Sequence, residues 1–150
     1  MRFFPNKTES FEVNLSRYEV LEIIQASFSP EGPGPKFNGK IDEETFQISL
    51  VLKRPNNFVP IISGMVEPEE KGTSMILVKY ELFDSSKKFL AFWTVLTLLI
   101  TLFFAIPYQA YLYAAISLAA GFVNYVITYE NFKIQVRKSK RALFTLLGKS

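Results

Sequence analysis

The 150-residue chain contains no cysteine and no histidine. Without cysteine there is neither a disulfide frame nor a thiol nucleophile. Without histidine there is no Ser-His relay, and the usual zinc and haem ligands are missing too. No cofactor is expected. Acidic residues are scarce in the second half: residues 87–150 carry 8 Lys/Arg against 1 Asp/Glu, a balance of +7, whereas residues 1–86 carry 9 against 13, a balance of −4. The basic excess therefore flanks the hydrophobic segments, which favours anionic lipid or topogenic signalling and argues against nucleic acid. The first nine residues lack the apolar core of roughly 7 to 15 residues that marks a signal peptide, so an uncleaved internal signal is expected.

Charge is absent altogether from two 18-residue runs, 89–106 and 111–128, which flank the break Pro107-Tyr108-Gln109-Ala110. At about 1.5 Å per residue each run spans roughly 27 Å as a helix, close to the bilayer's hydrocarbon thickness of about 30 Å. This pattern predicts a two-helix transmembrane hairpin over residues 87–129. The competing reading, a buried hairpin in a soluble protein, would demand a much larger surrounding core. Lys87 and Lys88 stand just before the first run, and Lys133, Arg137, Lys138, Lys140 and Arg141 follow the second. Basic residues near span ends stay cytoplasmic, so a multi-pass cell-membrane protein with both termini in the cytoplasm is expected, these side chains lying at the membrane surface. Tyr108, Tyr111 and Tyr113 suit an aromatic belt at the outer interface.

The spans carry a packing seam. Thr94, Thr97 and Thr101 share one helix face, and Ala114, Ser117, Gly121 and Asn124 share another. Folding about the turn sets Thr101 against Ser117, Thr97 against Gly121 or Ala120, and Thr94 against Asn124, with a hydrogen bond expected in the last pair. Small residues admit close backbone approach, and polar contacts add about 0.6 to 2 kcal/mol each in lipid. With no ionisable group in either span, an ion or proton path is not expected.

Residues 1–86 read as a cytoplasmic α+β domain: a small antiparallel sheet with one packed helix. Ser16-Arg17-Tyr18-Glu19 is a capping box opening a helix from Arg17 to about Ser27, with Val20, Leu21, Ile24 and Phe28 inward. Before it, residues 10–15 alternate as a strand. Residues 29–35 hold three prolines and two glycines and form a loop. Alternation then marks strands over 37–41, 46–52, 61–67 and 74–83, a meander with short turns. Gly39 and Gly64 inside strands predict bulges or tight curvature. In the last strand Met75 and Leu77 are apolar opposite Ile76, Val78, Tyr80 and Leu82, so the second face needs a cover. That cover is the C-terminal segment, a sheet closing on itself, a ligand or a partner protein. Residues 130–150 predict a basic amphipathic helix, through Phe132, Val136, Leu143, Phe144 and Leu147, that either lies on the membrane or returns to the sheet.

Catalysis has no evident seat. Glu43-Glu44 and Glu69-Glu70 fall in predicted turns, where adjacent carboxylates do not face each other across a cleft. The glycines form neither a phosphate loop nor a dinucleotide fingerprint, and Lys53-Arg54-Pro55-Asn56-Asn57 is too short for a nucleic-acid site. The landmarks Phe37-Asn38-Gly39-Lys40-Ile41, Asn57-Phe58-Val59-Pro60-Ile61-Ile62-Ser63-Gly64 and Gly72-Thr73-Ser74-Met75-Ile76-Leu77-Val78, leading into two spans, resemble a family of uncharacterised bacterial two-span membrane proteins. The resemblance implies a bacterial cytoplasmic membrane and a fold, and it transfers no site. The expectation is a non-enzymatic integral membrane protein, in contact with the lipid bilayer, whose domain mediates contact with a protein partner or self-association. The alternative is a lipid or small-ligand binding module at the membrane surface.

Overall fold

The computed structural model describes residues 3–54, 56–68 and 72–148. In chain order the elements are β1 (Asn6–Val13), α1 (Arg17–Ala26), β2 (Phe37–Ile41), β3 (Thr45–Leu50), β4 (Ile61–Pro68), β5 (Ser74–Glu81), α2 (Asp84–Ala105) and α3 (Tyr111–Leu146). The class is α+β, and all five strands form one antiparallel sheet in the order β1-β5-β4-β3-β2. Strands β2 to β5 make the expected meander. Strand β1 begins at Asn6 rather than Ser10 and pairs along the whole of β5, from Asn6 opposite Glu81 to Val13 opposite Ser74. Pro55, the Glu69-Glu70 pair and Lys149 lie outside the described residues.

Period two separates the sheet's faces. Register places Phe46 opposite Gly64, Gly64 opposite Val78 and Ile48 opposite Ile62, so Ile62, Val66, Ile76, Val78 and Tyr80 share an inner face and are buried. Gly39 and Gly64 do not mark bulges, because both pair in unbroken register. Gly64 is required for a different reason: a Cβ there would stand 2.1 Å from Cζ of Phe46, whose ring lies across the glycine.

Helix α1 opens as expected. Ser16 Oγ accepts from the Glu19 amide, and the Glu19 carboxylate accepts from the Ser16 amide at 2.8 Å, completing the capping box. Val20 and Ile24 are fully buried against the sheet, with Leu21 and Phe28 packed partly buried beside them.

Helix α3 is a single rod. Its 36 residues extend about 54 Å. No break separates the apolar run from the basic segment, so the expected C-terminal helix is the distal half of α3. That half places Phe132, Val136, Leu143 and the following Leu147 in the same core as Val20, Ile24 and the inner sheet face. Both helices thus cover one face, and the C-terminal segment is not the cover for the other. The core that shields residues 1–86 also draws on the distal half of α3.

Candidate functional site

Three regions carry the features that bear on function: the pair α2/α3, the line where β1 meets α3, and the outer face of the sheet.

Helices α2 and α3 are both long and apolar enough to cross a membrane. They pack on each other through small residues. A Cβ on Gly121 would approach Thr97 Cγ2 to 2.5 Å, and Ser117 Oγ donates to the Thr97 carbonyl at 3.3 Å. Ala114 is buried and Thr101 half-buried further along the same faces. Each threonine hydroxyl also donates to its own helix, Thr94 to Leu90, Thr97 to Trp93 and Thr101 to Thr97, at 2.7 to 2.9 Å. The Thr94 proton is therefore committed within α2, and Asn124 lies exposed rather than bonded to it. Two residues that the sequence reading omits extend the seam: Leu90 and Thr128 are buried. They continue the spacings of Thr94 and Gly121 by one and two turns, a signal present in the pattern but hidden by Leu90's size. Beside the seam a groove of about 890 Å³ is lined by Thr94, Leu98, Leu118, Phe122, Tyr125 and Phe3, among others.

Strand β1 runs alongside α3 in the same direction. Tyr125 Oη donates to the Phe3 carbonyl at 2.9 Å, Lys140 Nζ donates to Glu9 at 2.8 Å, and the rings of Phe11 and Phe144 meet edge-on at 4.8 Å. From Phe3 to Phe11 is eight steps of extended chain, about 26 Å, and from Tyr125 to Phe144 is 19 helical steps, about 29 Å, which is why the two segments stay in step. Lys140 turns to Glu9, which Lys7 also reaches at 3.1 Å and to which Tyr80 Oη donates at 3.1 Å. Burial pushes the Glu9 carboxyl up, but the hydrogen bonds and charges of Lys140 and Lys7 outweigh it and hold the group below its ordinary value. Burial, then the adjacent Glu9 charge, raises the Tyr80 phenol.

The remaining basic residues are spread. Lys87 pairs with Asp84 at 3.2 Å at the start of α2, and Lys88 is exposed beside it. Lys133 pairs with Glu130 at 2.8 Å and lies 4.5 Å over the Tyr129 ring. Its hydrogen bond to Glu130 raises its pKa above the ordinary lysine value. Arg137, Lys138 and Arg141 are exposed.

Among the described residues no helix covers the outer sheet face. Met65 and Leu77 are each more than 40% exposed there, and with Thr8, Lys40, Gln47 and Lys79 they line a hollow of about 650 Å³. Of the carboxylate clusters, Glu44 is engaged by Arg17 at 2.6 Å, and among the described residues no group of three or more carboxylates converges as a metal site. Compared with protein-family models, curated proteins and solved structures, the chain matches none.

Proposed function

We propose that the chain is an integral protein of the bacterial cytoplasmic membrane. In this reading α2 and residues 111–128 of α3 form a transmembrane hairpin, both termini are cytoplasmic, and the sheet domain works without catalysis by contacting a protein partner or another copy. One observation carries the reading: the hairpin helices expose large apolar side chains all round, including Leu98, Leu99, Phe103, Leu112, Ile116 and Phe122. A helix apolar on every side is either buried in a core or spans a membrane, and in α2 and residues 111–128 only Leu90, Ala114 and Thr128 are buried. Lys87, Lys88, Lys133 and Arg137 flank the charge-free stretch and supply the orientation.

Resistance to alkaline carbonate extraction and cytoplasmic reporter signals from fusions at both ends are expected. Release into the soluble fraction, or an external signal from either end, overturns the anchor or its orientation. For the sheet domain, the open outer face supports a contact role. A stoichiometric partner should copurify from gently solubilised membranes and be lost with Leu77→Glu, a change on an exposed position that leaves the core intact. The second reading, a lipid or small-ligand module, draws on the hollow around Met65 and Leu77. It predicts retained ligand in the purified protein and no partner.

A further inference from the structure

We infer that Lys7, Lys133 and Arg137 form a binding pocket for the phosphate of an anionic phospholipid headgroup at the point where α3 leaves the membrane. The inference rests on the membrane reading and adds a ligand to it. The three cations come from two elements: Lys7 from β1, and Lys133 and Arg137 from one face of α3, which also carries Tyr129, Phe132 and Val136 at helical spacing. Together with Asn6 they enclose a hollow of about 330 Å³. The apolar run ends at Thr128, so Lys133 lies about 7 Å and Arg137 about 13 Å farther along the axis. The headgroup layer beyond the hydrocarbon is about 5 to 8 Å thick. Side chains on a helix lean toward its N-terminus, which for α3 is toward the bilayer, so both cations reach back into that layer. Tyr129, 40% exposed, stands at the boundary itself.

The local charge balance favours an anion. Glu9 is shared by Lys7 and Lys140, and Glu130 by Lys133, while Arg137 makes no ion pair among the described residues. Four cations thus face two carboxylates, and the free guanidinium is the group best shaped to grip phosphate oxygens two at a time. Because β1 is tied to α3 above and below this point, by Glu9–Lys140 and by Phe3–Tyr125, Lys7 is held at the rim rather than carried on a loose terminus.

The test uses full-length protein in an uncharged detergent, titrated with phosphatidylglycerol or phosphatidylcholine, with bound lipid counted by native mass spectrometry. One phosphatidylglycerol should bind at least about tenfold tighter than phosphatidylcholine, and removing each cation should weaken it roughly fivefold. Lys7→Gln with Arg137→Gln should therefore abolish the preference. Lys138→Gln with Arg141→Gln, an equal loss of charge on the same helix, should leave it in place. Equal loss in both double variants means diffuse attraction and overturns the pocket. Displacement by inorganic phosphate at the same concentration as lipid overturns the lipid as its source. Carbonate-resistant protein without a phosphatidylglycerol preference defeats this inference alone, whereas carbonate release of the wild type defeats the anchor beneath it.

Discussion

The two halves of α3 share one unbroken backbone and obey opposite rules. In residues 111–128 there is no charge, and Ala114 and Thr128 alone are buried. In residues 129–146 charged side chains alternate with a stripe, Phe132, Val136, Ser139 and Leu143, that is closed against the sheet. The distal half is amphipathic as a helix in water must be, and the proximal half is apolar all round. Helical geometry would be indifferent to a change of solvent between the halves, since its hydrogen bonds are internal in either medium. A rigid rod is therefore the simplest link between the proposed span and the domain it carries: any tilt of the span is delivered directly to the sheet's core.

The sharpest way to test this contrast is to place the same charge in each half. Leu143 is fully buried, and an unpaired carboxylate there costs several kcal/mol against a total stability of about 5 to 15. Leu143→Asp should abolish the cooperative thermal unfolding of the domain in detergent. Leu118→Asp, on an exposed position of the proximal half, should leave that transition in place and weaken membrane insertion by about 2.5 to 3.5 kcal/mol. Identical behaviour of the two variants would erase the distinction.

A smaller effect is expected at the seam. Gly121→Leu forces new atoms onto Thr97, an overpacking worth about 1 to 3 kcal/mol, whereas Leu98→Ala trims an exposed side chain and should matter much less. Amide exchange across residues 94–101 should accelerate in the first variant, with the sheet amides serving as an internal standard. Unchanged exchange would show that the two helices do not depend on each other there.

The same contrast explains what could be read from the residues alone. Strands β2 to β5 are legible because Phe46, Ile48, Ile62, Val66, Ile76 and Val78 keep strict period two on the buried face. Four residues of β1 escape that rule because its inward positions hold Lys7 and Glu9: Lys7 pairs with Glu9, and Glu9 is satisfied further by Lys140 and Tyr80, partners on distant elements that no local pattern announces. The continuity of α3 is illegible for the converse reason. Hydropathy changes sharply after Thr128, but no glycine or proline stands between Phe122 and Leu147 to end the helix. The seam is legible in its small residues, while the Thr94–Asn124 bond fails because a threonine in a helix has a nearer acceptor, the carbonyl one turn back.

Next in size is the tie between β1 and the distal half. The Glu9 carboxyl is held below 4.5, so its contribution is present above that pH and is lost as pH falls through the depressed folded value. Stability should be flat through neutral pH and decline below about 4.5. Glu9→Gln should cost about 1 to 2 kcal/mol at pH 7 and progressively less on acidification. Thermal melts of both proteins at pH 7, 4 and 3 provide the comparison, and parallel curves would mean that Glu9 is not the group involved.

The smallest effect lies where the halves meet. Tyr125 belongs to the apolar half, but its hydroxyl donates to the Phe3 carbonyl and its ring packs against Phe3 at 5.7 Å between centroids. Tyr125→Phe keeps the ring and removes one hydrogen bond, a loss of about 0.5 to 1.5 kcal/mol. Such a change is too small to unfold the sheet, whose pairing of β1 with β5 continues from Asn6 to Val13. It should instead appear locally, as faster amide exchange at the first residues of β1, by about two- to tenfold, with Ile76 and Val78 unaffected. Equal acceleration throughout β5 would mean that the N-terminal segment supports the whole sheet. No acceleration at all would mean that packing, and not the hydrogen bond, holds Phe3 to the rod.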